Sequence, residues 1–151
     1  MPDRIPTLAR LAAEIAPAMI EIRRDIHANP EVGWSEHRTT RRVAETLLSW
    51  DIKPHVRPEG TGLIADVGQE DAARTVGFRA DLDALPIAEE ASPPYASTVP
   101  GVMHACGHDV HTAIGLGTAW VLSQLEELPG RARFVFQPAE EVIPGGAQSL
   151  R

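Results

Sequence analysis

The stretch from His104 to His111 places five potential metal donors within eight residues: His104, Cys106, His108, Asp109 and His111. Thiolate, imidazole and carboxylate groups bind zinc-like divalent cations. Gly107 lets the backbone turn tightly, so that Cys106 and His108 can point at one ion. A bound metal would hold Cys106 as a thiolate. The spacing lacks the paired Cys-x-x-Cys of zinc fingers, which argues against a purely structural zinc. The plain alternative is a small buried cysteine among histidines that satisfy local backbone groups.

Two acidic segments accompany this cluster. Asp81 and Asp83 flank Leu82 directly after an apolar run ending at Ala80. By the two-residue period of an extended chain they share one face, from which they can ligate a metal or orient a ligating histidine. Glu140-Glu141 follow Pro138 at the end of another apolar run. Adjacent residues of an extended chain point opposite ways, so one carboxylate can hold a metal while the other reaches a water molecule. A metal lowers the pKa of water towards about 7, and a nearby carboxylate can take the proton. Taken alone, a glutamate pair is commonly a solvated turn and an aspartate pair commonly a turn motif.

The elements that would position these groups follow from periodicity. Leu8, Leu11, Ile15, Met19, Ile22 and Ile26 recur at steps of three and four, which predicts an amphipathic helix over 8–26. Pro17 lies inside it and is expected to kink or split it. His27, with Asp25 and Arg24, closes that helix, where a cation suits the macrodipole. A second helix is expected from Ser35, a good N-cap, to Trp50. Strands are expected at 62–67, 75–80 and 131–136, with residues 68–74 as a turn and 88–101 as a loop. A helix is expected over 109–127, and Gly145-Gly146 open a further one that runs to Arg151. Gly115-Leu116-Gly117 falls inside a helix and reads as packing, not as a dinucleotide fingerprint. Helices alternating with short strands predict an α/β fold with a largely parallel sheet flanked by helices. In such sheets ligands bind at the carboxyl ends of strands. The two acidic segments then lie at strand ends and the donor cluster at a helix start, all on one rim.

Composition sets the class. The 151 residues suit one folding unit. With 14 basic and 21 acidic residues the net charge is −7, which argues against nucleic acid or an anionic membrane as partner. One cysteine excludes an internal disulfide and fits a cytoplasmic protein. No apolar run approaches the roughly 18–20 residues of a membrane span, and no secretory signal is expected.

Four ordered segments carry a family resemblance: Arg24-Asp25-Ile26-His27-Ala28-Asn29-Pro30-Glu31, Arg79 to Ile87, Met103 to Asp109, and Phe136-Gln137-Pro138-Ala139-Glu140-Glu141. Together they resemble the amidohydrolases of peptidase family M20, in particular the hippurate hydrolases, N-acyl-amino-acid deacylases and indole-acetyl-amino-acid hydrolases. The resemblance implies that Cys106, His108 and Glu141 are metal ligands and that Glu140 is the general base. It implies a catalytic role for Asp81 and a supporting one for Asp83, with His104, Asp109 and His111 bracing the site. It also implies two divalent ions (zinc, manganese or cobalt) and a small N-acyl amino acid or peptide-like substrate.

Val110 stands where many relatives carry glycine. The family also implies a chain more than twice as long, with two further ligand histidines and a lid and dimerisation domain, none of which lies within residues 1–151. The expectation is therefore the N-terminal part of a zinc-peptidase-like catalytic domain, poorly active by itself. A homodimer or a complementing C-terminal half are the expected protein partners. The alternative is a non-catalytic metal-binding or interaction fragment, possibly one half of a split enzyme.

Overall fold

Apolar residues three and four apart make α1 (Ile5–Ala28) one-sided, burying Leu11, Met19, Ile22 and Ile26. In the computed structural model, which describes residues 5–150, Pro17 lies inside this single helix and does not split it. A mid-helix proline costs roughly 3 kcal/mol. Each buried aliphatic side chain returns about 1.5–3 kcal/mol, and buried residues on both sides of Pro17 hold the helix together.

α2 is His37–Leu48, shorter at both ends than the periodicity predicts. Ser35 is not its cap. Glu31 takes that task from upstream: its carboxylate accepts the backbone N–H of Arg38 (2.9 Å) and of Thr39 (2.7 Å) and the Thr39 hydroxyl (2.9 Å). These are first-turn donors that a helix cannot satisfy itself.

The strands are β1 (Pro54–Val56), β2 (Leu63–Gly68), β3 (Thr75–Asp81) and β4 (Arg131–Gln137), in the sheet order β1-β2-β4-β3. α3 is His108–Ser123, and a 3₁₀ turn spans Gly146–Leu150, where a further helix was expected. The α/β class and the flanking helices are as expected, but the sheet is mixed. β3 and β4 pair in parallel, while β1–β2 and β2–β4 are antiparallel. Chain length explains this. Parallel neighbours need a crossover of a dozen or more residues, and only the segment between β3 and β4, which contains α3, supplies one. The short link at 57–62 can only return β2 antiparallel to β1. Segment 69–74 does not make β2 and β3 neighbours, because β4 enters between them.

One face of the sheet carries the core. Leu63, Ala65 and Val67 of β2, Ala80 of β3, and Phe134 and Phe136 of β4 pack with Met19, Ile22, Ile26, Val43, Leu47 and Leu116. The opposite face is mixed and only half-buried, with Ile64 standing across from Val135. There Asp66 stands directly across from Arg133 and accepts both of its forked N–H donors at 2.9 and 2.8 Å.

α3 lies between the sheet and α1, and two bare positions permit this. A Cβ on Gly115 would stand 3.1 Å from the Phe136 ring and 3.3 Å from Ala80. A Cβ on Gly117 would stand 3.1 Å from Met19. The glycine pair is therefore a packing device, as its place within a helix predicts.

Two stability predictions follow from this packing. Gly115→Val should lower stability by about 1–3 kcal/mol through overpacking, whereas Gly77→Val, whose Cβ would meet nothing within 4 Å, should not; urea midpoints distinguish them. The Arg133 hydrogen bond holds the Asp66 carboxyl below its usual range. A depressed carboxylate adds stability above its unfolded pKa and loses it as pH falls through the folded value. Asp66→Asn should therefore cost roughly 0.5–1 kcal/mol at pH 7, and in denaturant melts the difference from wild type should shrink as pH falls through the lowered titration of Asp66.

Candidate metal centre

β3 and β4 run parallel in a register that sets Asp81 beside Gln137. Both strands therefore deliver their following residues to the same rim. The Leu82 N–H donates to the Gln137 carbonyl at 2.9 Å, which carries the pairing one step past the strands. Asp83 and Glu140-Glu141 lie just beyond. α3 starts at the same rim. Gly107 caps it in the left-handed region at φ 79°, a conformation that glycine takes without cost.

Here the donors converge. One ligand atom from each of Cys106, His108 and Glu141 lies within 4.8 Å of the others. A second trio, Asp81, His108 and His111, meets the same limit. His108 belongs to both and is buried. Its Nδ1 donates to the Asp83 backbone carbonyl at 2.8 Å and lies 3.2 Å from Asp83 Oδ1. A carbonyl can only accept, so Nδ1 carries the hydrogen and Nε2 is left to face the glutamates. It lies 3.8 Å from Glu141 Oε1 and 4.0 Å from Glu140 Oε2.

Asp83 has a second task. Its Oδ2 accepts the Glu141 N–H at 2.9 Å, so one carboxylate ties the histidine to the glutamate turn. Burial pushes the Asp83 pKa up, but His108 and the N–H groups of Glu141, Glu140 and Asp83 itself outweigh burial and leave it below the usual value. Burial also pulls His108 down, and its bonds to Asp83 with the charges of Asp83 and Asp81 outweigh that and raise it.

The two aspartates thus divide their work, although the two-residue period predicts a shared face. Asp83 orients His108. Asp81 meets Arg79 at 3.2 Å and His111 at 3.5 Å, and its Oδ1 is buried without a hydrogen-bond partner among the described residues. The glutamates also depart from expectation. They lie in a bend, not an extended segment, and both carboxylates approach His108 instead of pointing opposite ways. The bend begins at Ala139, which has φ 51°. For a residue with a Cβ this region costs about 1–2 kcal/mol.

Cys106 is exposed, and a hydrogen bond to Glu141, partial burial and the nearby charges of Glu141, Glu140 and Asp81 raise its thiol pKa. That repulsion among thiolate and carboxylates is what a divalent cation would reverse. The orphaned Asp81 oxygen and the soft-plus-hard donor set both fit such an ion.

Of the residues expected to brace the site, Asp109 and His104 are buried behind this centre, whereas the exposed His111 joins the second trio. Asp109 is wholly buried and pairs with Arg23 Nε and His27 Nδ1, each at 2.7 Å. His27 also reaches Glu89 at 3.1 Å through Nε2. It is a buried pin between α1, α3 and the 88–101 loop, and more than the helix-end cation its position implies. His104 is buried, neither ring nitrogen has a partner among the described residues, and burial pushes its pKa down to about 4. Glu36 was not singled out by the sequence. It is fully buried and accepts the Ala139 N–H at 2.6 Å.

Comparison with known proteins finds relatives along nearly the whole chain. A model of peptidase family M20/M25/M40 matches residues 77–151, the stretch that holds every predicted site residue. A probable hydrolase of Synechocystis sp. is 48% identical over 146 residues, covering 95% of this chain and 37% of its own length. An N-acyl-L-amino acid amidohydrolase of Geobacillus stearothermophilus is 46% identical over 144 residues, covering 95% of this chain and 39% of its own. The crystal structure of Bacillus subtilis YXEP protein, a dinuclear metal binding peptidase, superposes with a TM-score of 0.85 at 42% identity, over 91% of this chain and 39% of that one. The chain thus spans less than two-fifths of the length of these relatives. Four ordered motifs, a shared fold and identities above 40% over nearly the whole chain place it in peptidase family M20/M25/M40.

Proposed function

We propose that this chain supplies a metal-binding half-site for hydrolysis of the amide bond of N-acyl amino acids. The observation that carries the reading is the convergence of Cys106, His108 and Glu141 within 4.8 Å, with the Glu140 carboxylate beside them. Relatives named N-acyl-L-amino acid amidohydrolase and N-acetylcysteine deacetylase support the substrate class.

Cys106, His108 and Glu141 would hold a divalent cation, and Asp81 with His111 could serve a second. When bound, such a cation supplies Lewis acidity, polarising a carbonyl and acidifying water. The chain's own residues do the rest. Asp83 fixes the His108 ring so that Nε2 and not Nδ1 faces the centre. Glu140 is exposed, its side chain about one-third accessible, and lies beside the ligands, so an incoming water can reach it. It accepts the water proton at a carboxylate oxygen and returns a proton to the departing amine nitrogen. Arg79 lies 3.9 Å from Glu140 Oε1 and 3.2 Å from Asp81, so one guanidinium faces both carboxylates.

Two outcomes test this reading. Cobalt(II) added to the purified chain should give a thiolate-to-metal absorption band that Cys106→Ser abolishes; a chain without the band does not have this centre. In protein containing this chain, charged with a divalent cation, Glu140→Gln should lower release of amino acid from N-acetylated amino acids by about 10²–10⁴-fold, with cobalt affinity within a few-fold of wild type. An unimpaired Glu140→Gln protein would remove Glu140 as the base.

A further inference from the structure

Glu36 poses a question that the metal ligands do not answer. A fully buried carboxylate is costly unless bonded, yet only one of its oxygens has a partner among the described residues. Oε1 accepts the Ala139 N–H at 2.6 Å, and Oε2 is buried without a hydrogen bond. Burial raises its pKa, opposed by the N–H groups of Glu36, Ala139 and Trp34. A residue retained only for packing would be apolar here.

The partner is the informative part. Ala139 is fully buried and holds φ 51°, and it immediately precedes Glu140-Glu141. Its N–H goes to Glu36 and its carbonyl accepts the Gly146 N–H at 3.0 Å. The peptide is thus gripped on both sides of a residue that sterics would otherwise return to negative φ. The segment leading to Glu36 also touches the other acidic loop: the Glu31 carbonyl accepts the Ala84 N–H at 2.8 Å, and Val32 bridges Ala84. Gly33 lies against the same bend, since a Cβ there would stand 3.3 Å from Ala139 Cα and 3.1 Å from Val142. Residues 31–36 therefore brace the loops that carry Asp83 and Glu141 at once.

We propose that Glu36 is a positioning residue, whose carboxylate holds the Ala139 peptide in the left-handed turn that aims Glu141 at Cys106 and His108. This rests on the metal-site reading above and adds the residue that sets the ligand's direction. Glu36 touches no ligand itself. It acts through one peptide unit, and that peptide lies 103 positions away in sequence.

The test is cobalt(II) titration of the chain, read by the thiolate-to-metal band, in wild type, Glu36→Gln and Glu36→Asp. The glutamine keeps the reach and an oxygen acceptor for the Ala139 N–H. The aspartate keeps the charge but withdraws it by one methylene. Glu36→Gln should bind within three-fold of wild type, and Glu36→Asp should bind about ten-fold or more weakly, the range typical when a ligand's supporting group is lost. Urea midpoints are measured alongside, because a merely structural role would lower the midpoint and leave the affinity of the folded protein unchanged. Equal cobalt affinity in all three proteins overturns the inference and leaves the metal centre standing. Equal loss in Gln and Asp also overturns it, since reach would then not matter. A wild type with no cobalt band overturns the centre and this inference together.

Discussion

The Asp83 carboxylate is the interaction on which the candidate centre depends. One oxygen, with the backbone carbonyl of the same residue, fixes the His108 ring, and the other holds the Glu141 N–H. Two of the three converging donors are thereby referred to a single side chain. Its charge is maintained by the groups it orients, which offset the cost of burying it. The same contact decides the chemistry of the imidazole. With the hydrogen on Nδ1, a neutral ring presents a lone pair at Nε2, and a cation competes there with a proton that Asp83 and Asp81 otherwise favour.

The fold serves that contact by bringing three chain segments to one rim. Parallel pairing of β3 with β4 delivers both acidic loops together, and the crossover between them contains the helix whose first residue is His108. α3 can do this only because it approaches the sheet and α1 closely at Gly115 and Gly117. Behind it, Arg23 and His27 tie α1 to the start of α3 through the buried Asp109 carboxylate. A salt bridge so placed adds little net stability once desolvation is counted; its effect is to make one orientation of the helix start cheaper than the others.

Much of this was legible in the sequence, because it rests on local order. Local pattern marks α1, α2, α3 and β2 to β4, though not the short β1, and donor types at short spacing mark Cys106, His108 and the acidic pairs. What was not legible depends on contacts between distant segments. The mixed sheet follows from β4 inserting between β2 and β3, which no local pattern records. Ser35 has the composition of a cap, but Glu31 reaches the same N–H groups from upstream. Extended geometry was the natural assumption for Glu140-Glu141, and a single left-handed alanine cancels it. Nothing local singles out Glu36, and His27 reads only as a helix-end residue; their partners stand 103 and 82 positions away.

β3 occupies one edge of the described sheet, with β4 on its other side. Half of its backbone N–H and C=O groups therefore have no strand to pair with. Val76, 72% exposed, and the bare Gly77 do little to cover them. β4, by contrast, is hydrogen-bonded on both flanks. Local opening should thus begin at β3 and cost far less than global unfolding. Because Asp81 ends that strand, excursions of the edge would displace this acid while the Phe134 and Phe136 core stays shut. Amide protons would record this as fast exchange along β3 beside slow exchange along β4, a gradient of local stability that ends at the acidic rim.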